Sequence, residues 1–219
     1  MRDLVQTTGM VLSASPVGEY DKRLVILTKE RGKITAFARG AKRPGSLLRA
    51  PSRPFAFGNF TLSEGRDAYS LYGAEIENYF DGLEKDVESA CYASYFTEFA
   101  DYYGREGIRG TEMLKLLYQS FRALLKQSLP NRLVQRIFEL KIMVINGEYT
   151  EQPQTEVSDS ARYAWEYVVL SPIEKLYTFR LTEEVFEEFR RSVERNKKTY
   201  IDRTFHSLEI LKVLLQQDS

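Results

Sequence analysis

The sequence of 219 residues predicts an α+β protein, in which a small N-terminal β-barrel precedes an all-α helical domain. Three observations predict this architecture. Apolar residues alternate with a period of two up to about residue 80, their period changes to 3.6 from Leu83 onward, and turn residues recur about every ten positions in the first part. We expect the boundary near Asp81, so the predicted domains cover residues 1–80 and 81–219.

The first eighty residues contain five short segments of strand character, separated by turn residues. These segments cover 9–12, 22–28, 33–39, 55–63 and 69–76. Gly32 ends a predicted turn and can adopt a positive φ, and a loop rich in Gly, Pro and Ser follows the third strand. Five strands in about seventy residues suit a five-stranded OB-fold better than a seven-stranded sandwich.

The remainder of the chain shows helical periodicity throughout. Predicted helices lie around 111–125, between Pro130 and Gly147, over 161–169 and 182–198, and from Phe205 onward. A further predicted helix precedes these and carries aromatic residues around much of its surface, namely Tyr92, Tyr95, Phe96, Phe99, Tyr102 and Tyr103. Such a helix is either packed into the core or partly open as a groove for a partner.

The formal net charge of zero conceals a division of charge along the chain. Residues 1–66 contain 12 Lys and Arg against 5 Asp and Glu, a net charge of +7, whereas residues 67–219 contain 19 against 26, a net charge of −7. No acidic residue lies between Glu30 and Glu64, an interval that holds seven cations. This asymmetry predicts that the basic part attracts a polyanion, while the acidic part repels one or meets a basic partner.

The third predicted strand combines cations with an aromatic ring. If 33–39 is a strand, Lys33, Phe37 and Arg39 share one face, which suits phosphate neutralisation and base stacking. The alternative is that Phe37 lies half-buried under a loop and the charges are solvated. The next segment, Ala38-Arg39-Gly40-Ala41-Lys42-Arg43-Pro44-Gly45-Ser46, interleaves cations with glycines that permit close approach of a phosphate backbone.

Together these patterns favour a nucleic-acid surface with little sequence specificity. The predicted binding residues are Lys22, Arg23, Arg31, Lys33, Phe37, Arg39, Lys42, Arg43, Arg49 and Arg53.

The sequence shows no site for catalysis or for a metal. Cys91 is the single cysteine and His206 the single histidine, which rules out an internal disulfide framework and an ordinary structural zinc site. We expect Cys91 to be a buried structural thiol and His206 to lie at the surface or the edge of the core. Phosphate-binding glycine loops and nucleophile elbows are also absent. We therefore expect a protein without cofactor, metal or enzymatic activity. It also lacks a secretory signal and a run of about 20 apolar residues, so we expect it to be cytoplasmic.

Two segments in the first part of the chain are distinctive, Gly18-Glu19-Tyr20-Asp21-Lys22-Arg23-Leu24 and Ala38-Arg39-Gly40-Ala41-Lys42-Arg43-Pro44. They are the most specific of several segments that resemble the N-terminal domain of the RecO family of recombination mediators. Ala90-Cys91-Tyr92-Ala93-Ser94-Tyr95 and Phe138-Glu139-Leu140-Lys141 are similar to the family's helical domain. The resemblance is good over 9–60, fair over 80–149 and weak beyond.

This resemblance implies binding of single- and double-stranded DNA, annealing of complementary strands, and help in loading the RecA recombinase on coated single strands. It also implies a nucleoid-associated location and two partners, RecR and the acidic C-terminal tail of single-stranded DNA-binding protein. The tail pocket cannot be mapped residue by residue, and candidates are Arg122, Arg132 and Arg136.

The resemblance leaves two questions open. Many family members carry four zinc-binding cysteines where this chain has none between Tyr149 and Tyr163, so that loop is held by other means or not held at all. The alternative function is an OB-fold that binds RNA, or a protein-interaction adaptor without annealing activity.

Overall fold

The computed structural model describes residues 4–126 and 129–217, which form a five-stranded barrel followed by six α-helices. The strands are β1 (Leu4–Val17), β2 (Asp21–Thr28), β3 (Gly32–Ala38), β4 (Phe57–Glu64) and β5 (Tyr69–Asn78). The helices are α1 (Val87–Tyr103), α2 (Thr111–Lys126), α3 (Asn131–Ile145), α4 (Asp159–Leu170), α5 (Glu183–Tyr200) and α6 (His206–Gln217). This confirms the predicted α+β fold.

The barrel closes in the strand order β1-β2-β3-β5-β4. Neighbouring strands are antiparallel except β3 and β5, which pair in parallel through Ala36–Tyr69 and Phe37–Ser70. Strand β3 alternates as predicted, since Ile34, Ala36 and Ala38 are buried while the residues between them are half-buried. The inward residues of all five strands, Phe60 among them, make one apolar core.

The chain divides into two compact units, and the barrel unit extends beyond the predicted domain. Residues up to Asp81 are joined in this unit by 97–114. The backbone of this second segment lies against the β2–β3 turn, where Lys33 N donates to Arg105 O (3.1 Å) and Gly107 N donates to Arg31 O (2.9 Å). The division of the chain at residue 80 stays a prediction.

Gly32 makes this approach of two backbones possible. Its φ is 68°, and a Cβ at this position would lie 2.1 Å from Arg105 O and 2.2 Å from Ile108 O. A side chain would therefore clash with backbone that cannot move aside. The sequence predicted the positive φ in this turn, but the segment that covers Gly32 lies more than seventy residues along the chain.

In the second unit, α3 is the central helix. Ten of its fifteen residues are buried, and it packs against α4 and α5. It ends at Ile145 and is capped by Asn146, and Gly147 follows with φ 76°, the left-handed conformation expected just after a helix. The broad apolar face predicted between Pro130 and Gly147 is thus confirmed.

The aromatic residues of α1 belong to the core. Tyr92, Tyr95, Phe96, Phe99 and Tyr103 are all buried, which favours the packing interpretation over a partner groove. Tyr102 is half-buried.

The structure confirms the predicted exposure of the single histidine but not the predicted burial of the single cysteine. His206 is exposed, as expected. The expectation of a buried thiol was wrong for Cys91, which is half-buried. The residue one turn before it on the same helix face, Val87, is 64% exposed, so this part of α1 borders solvent.

The loop that lacks the zinc-binding cysteines is held by hydrogen bonds to α4 and α5. Trp165 Nε1 donates to Thr150 O (3.1 Å), and Asn196 Nδ2 donates to Glu148 O (3.1 Å). Further along the loop, Thr155 is bonded to the Ser192 hydroxyl (2.8 Å). Of the two possibilities that the sequence left open, the structure supports the first.

In the part of the chain that the structure describes, no helix is both long enough and apolar enough to cross a membrane.

Candidate nucleic-acid interface

The predicted binding residues lie on β2, on β3, in the β2–β3 turn, which holds Arg31, and in the loop of residues 39–56 that connects β3 to β4. This loop is a succession of backbone turns, in which Arg43 N donates to Gly40 O (3.0 Å) and Arg53 N donates to Ala50 O (3.1 Å). Ala41 and Ser52 are fully buried and attach the loop to the barrel. Its basic side chains are therefore presented by an ordered backbone.

Three of the ten predicted residues have carboxylate partners within the barrel unit. Arg31 Nη1 lies 3.2 Å from Glu64 Oε2 and also donates to the Tyr69 hydroxyl (3.1 Å). Lys33 Nζ lies 3.0 Å from Asp101 Oδ1. The third pair joins Arg53 to Asp81 at 3.1 Å. These side chains stabilise the unit, and their charge is partly neutralised.

Six other cations form no ion pair with any residue in 4–126 or 129–217, and we refer to them as the basic cluster. The basic cluster consists of Lys22, Arg23, Arg39, Lys42, Arg43 and Arg49.

Local structure brings four members of the basic cluster together, namely Lys22, Lys42, Arg43 and Arg49. Lys22 is paired with Ala38 in the β2–β3 register, and this places it beside the start of the loop. Lys42 N donates to Tyr20 O (2.8 Å), and the Arg43 guanidinium lies 5.0 Å from the centre of the Tyr20 ring. The loop thus folds back on the β1–β2 turn, so cations that are distant in sequence become neighbours.

The electrostatics of Lys22 report this crowding. Burial lowers the pKa of its ammonium group, and the nearby charges of Arg49, Arg53 and Lys42 lower it further. The Lys22 ammonium also donates to Ser52 O (3.2 Å). Like charges held this close repel one another, so an anion placed among them is strongly favoured.

On the outward face of β3, the cation beside Phe37 differs from the one predicted from the sequence. Phe37 is half-buried and stands opposite Arg23 in the β2–β3 register. Arg23 Nη2 donates to Thr35 Oγ1 at 3.4 Å. Because Lys33 is paired with Asp101, the cation beside Phe37 is Arg23 rather than Lys33.

The three candidate partner residues occupy different settings in the helical unit. Arg122 is exposed on α2. Arg136 is largely buried on α3 and pairs with Glu139 (2.7 Å) and Glu194 (2.9 Å). Arg132 is exposed, lies 4.7 Å from the centre of the Phe186 ring, and donates to Glu183 Oε1 (2.8 Å).

A small cavity of about 200 Å³ adjoins Arg132. It is lined by Pro130, Arg132, Leu133, Arg180, Leu181, Glu183 and Phe186. Arg180 and Leu181 were not singled out from the sequence, because they lie in a short connection without helical periodicity. The only signal there was a cation between two apolar residues.

Within the described ranges, no group of three or more His, Cys, Asp or Glu side chains could hold a metal ion.

Comparisons with known proteins match both parts of the chain to one family. The family model described as Recombination protein O N terminal matches residues 1–80, and that described as Recombination protein O C terminal matches residues 84–154. Together they cover more than half of the sequence.

Similar proteins carry the name DNA repair protein RecO. The one from Alkaliphilus metalliredigens is 36% identical over 144 residues, which are 66% of this chain and 58% of that protein. The one from Desulforudis audaxviator is 37% identical over 142 residues, 65% of this chain and 56% of that protein. These two alignments therefore span less than two thirds of the relatives' own length. The relative from Acetivibrio thermocellus is 24% identical over 243 aligned positions, which cover 96% of this chain and 97% of that protein. The chain belongs to the RecO family of DNA repair proteins.

Proposed function

We propose that this protein is a recombination mediator in DNA repair. In this role it binds single- and double-stranded DNA without strong sequence specificity, anneals complementary strands, and helps to load RecA on coated single strands. The observation that carries the proposal is the basic cluster, six cations without carboxylate partners among the described residues.

Phosphate neutralisation explains how this surface would bind DNA. Each cation that contacts a phosphate releases condensed counterions, and the resulting affinity does not depend on base sequence. The barrel unit supplies these cations at the start of β2 and on an ordered loop, while acidic residues predominate after residue 66. DNA is therefore expected on the barrel unit.

The decisive experiment is annealing of complementary oligonucleotides coated with single-stranded DNA-binding protein. We expect the triple variant Arg39→Glu, Lys42→Glu, Arg43→Glu to lose annealing and DNA binding. The matched control is Arg191→Glu, Arg195→Glu, Lys198→Glu, which reverses the same amount of charge on exposed positions of α5. If the first triple variant anneals DNA as efficiently as the wild type, the proposal is contradicted.

The same assay separates the alternatives. An RNA-binding OB-fold would prefer RNA through 2′-hydroxyl contacts, and an adaptor would bind neither nucleic acid.

We propose that the protein has no enzymatic activity, so incubation with ATP and DNA is expected to show no turnover.

We also propose RecR and the acidic tail of single-stranded DNA-binding protein as partners, with the Arg132 cavity as the tail site. The cavity joins apolar side chains to two guanidinium groups, which suits a peptide that carries both carboxylates and apolar residues. In the free protein the Arg132 guanidinium donates a hydrogen bond to Glu183, so a peptide carboxylate would have to replace Glu183 as the acceptor.

This competition gives the tail site a test in both directions. We expect Arg132→Ala to weaken binding of a fluorescent tail peptide roughly tenfold, because a charge-assisted contact is lost. Glu183→Gln removes the competing carboxylate and is expected to strengthen binding. Arg122→Ala serves as the comparison, and an equal loss in that variant would place the site elsewhere.

A further inference from the structure

Leu47 is the most exposed large hydrophobic side chain among the described residues. Its exposed fraction is 92%, and the next, Leu170, is 80% exposed. The adjacent Leu48 is half-buried and packs against the barrel core. The loop is thus attached through Leu48, and Leu47 contributes nothing to the packing of the barrel.

The backbone on both sides of Leu47 is held in place. Ser46 N donates to Arg43 O (3.2 Å), Leu48 N donates to Ser46 Oγ (3.3 Å), and Arg49 N donates to Ser46 O (3.2 Å). Gly45 supplies the positive φ of 73° that the turn requires. Leu47 is therefore presented by a preorganised turn, which reduces the entropy cost of placing it against a ligand.

The surroundings of Leu47 identify what it meets. Arg43 and Arg49 of the basic cluster flank it at short distance along the chain, and no acidic residue lies between Glu30 and Glu64. Charge complementarity therefore selects a polyanion. An apolar side chain gains nothing from phosphate groups, and the apolar surface of a nucleic acid is the faces of its bases.

We propose that Leu47 inserts between adjacent bases of DNA that is bound to the basic cluster. Apolar wedges of this size separate neighbouring bases in other DNA complexes, at an unstacking cost that phosphate contacts offset. The insertion would hold the bases of a bound strand apart and accessible to a complementary strand. The inference rests on the proposed DNA binding and adds a contact that charge alone does not provide.

Affinity measured over a range of salt concentrations separates this contact from the cationic ones. We expect Leu47→Ala to weaken binding of a single-stranded oligonucleotide roughly fivefold to tenfold at every salt concentration, because about one buried leucine side chain is lost. The slope of log affinity against log salt should not change, since no charge is removed. Leu170→Ala, an exposed leucine on α4, is the matched control and should bind like the wild type.

Fluorescence locates the side chain directly. An oligonucleotide with 2-aminopurine should brighten on binding the wild type and brighten much less with Leu47→Ala, because unstacking relieves the quenching of this base. In Leu47→Trp, DNA should shield the new indole from acrylamide, whereas vesicles of anionic phospholipid should not.

Each outcome decides the inference. If Leu47→Ala binds as tightly as the wild type, or if vesicles but not DNA shield the indole, insertion is overturned while salt-dependent binding by the wild type still supports the proposed function. If the wild type does not bind DNA, the proposed function and the insertion fail together.

Discussion

Glu139 is a carboxylate in the interior of the helical unit, with no exposed surface. Its oxygens accept hydrogen bonds from Arg136 (2.7 Å), Lys197 (2.7 Å) and Gln135 (3.2 Å), and also from the Tyr95 hydroxyl. These donors come from α1, α3 and α5. One residue thereby connects several helix segments, and its removal takes the carboxylate partner from Lys197 and leaves Arg136 paired with Glu194 alone.

We expect Glu139→Gln to lower the free energy of unfolding by about 3 kcal/mol, because removing one partner of a buried ion pair leaves uncompensated charge. The measurement is urea denaturation followed by circular dichroism. Glu183→Gln is the matched control, since its exposed pair with Arg132 should contribute less than about 1 kcal/mol. Equal losses of unfolding free energy in the two variants would show that the buried Glu139 ion pairs stabilise the fold no more than the exposed Glu183–Arg132 pair.

The pH dependence of the same residue supplies a second prediction. Burial alone would raise the pKa of the Glu139 carboxyl, but the charges of Arg136 and Lys197 outweigh burial and lower the pKa from 4.5 to about 2. A lowered pKa in the folded state contributes stability above pH 4.5 that is lost as the pH falls toward 2. The difference in unfolding free energy between wild type and Glu139→Gln should therefore shrink between pH 7 and about pH 3. If the difference in unfolding free energy stays constant from pH 7 to about pH 3, the pKa of Glu139 is not lowered in the way described.

At the scale of elements, the loop after α3 is held by hydrogen bonds from two neighbouring helices. Asn196 on α5 and Trp165 on α4 each donate to a backbone carbonyl of the loop, at Glu148 and at Thr150. We expect Asn196→Ala and Trp165→Phe each to speed cleavage of the loop by a protease specific for glutamate, by roughly fivefold. This corresponds to about 1 kcal/mol for one hydrogen bond.

Arg162→Ala provides the control for this experiment. Arg162 lies on α4 like Trp165, but its side chain is exposed and pairs with Asp159 within the same helix. Its removal should leave the cleavage rate unchanged. If all three variants are cleaved like the wild type, the loop is held by contacts other than these bonds.

Elements with a clear hydrophobic period were predictable from the sequence, because alternation and helical spacing are local properties. All five strands and the central apolar helix α3 follow from such patterns. The attachment of 97–114 to the barrel did not, since the contact of Lys33 with Asp101 spans 68 residues. The same holds for Cys91, whose half-buried position depends on which side of α1 faces solvent.

At the scale of the whole molecule, the separation of charge along the chain was visible in the sequence, but the pairing of individual cations was not. Arg31 meets Glu64 across 33 residues, and Arg53 meets Asp81 across 28. Tertiary structure alone thus divides the nine cations among the predicted binding residues into three that are paired with carboxylates and the six of the basic cluster. The two classes should respond differently to salt.

Salt dependence tests this division. If all six residues of the basic cluster contact phosphates, log affinity for duplex DNA should fall with log salt at a slope of about −5. Arg39→Gln should reduce the steepness of that slope by about 1, because one phosphate contact is lost. Arg31→Gln removes the same charge but breaks the pair with Glu64, so it should lower the free energy of unfolding and leave the slope unchanged. Equal changes of slope in the two variants would mean that Glu64 releases Arg31 to the DNA, and that ion pairing in the free protein does not decide which cations bind.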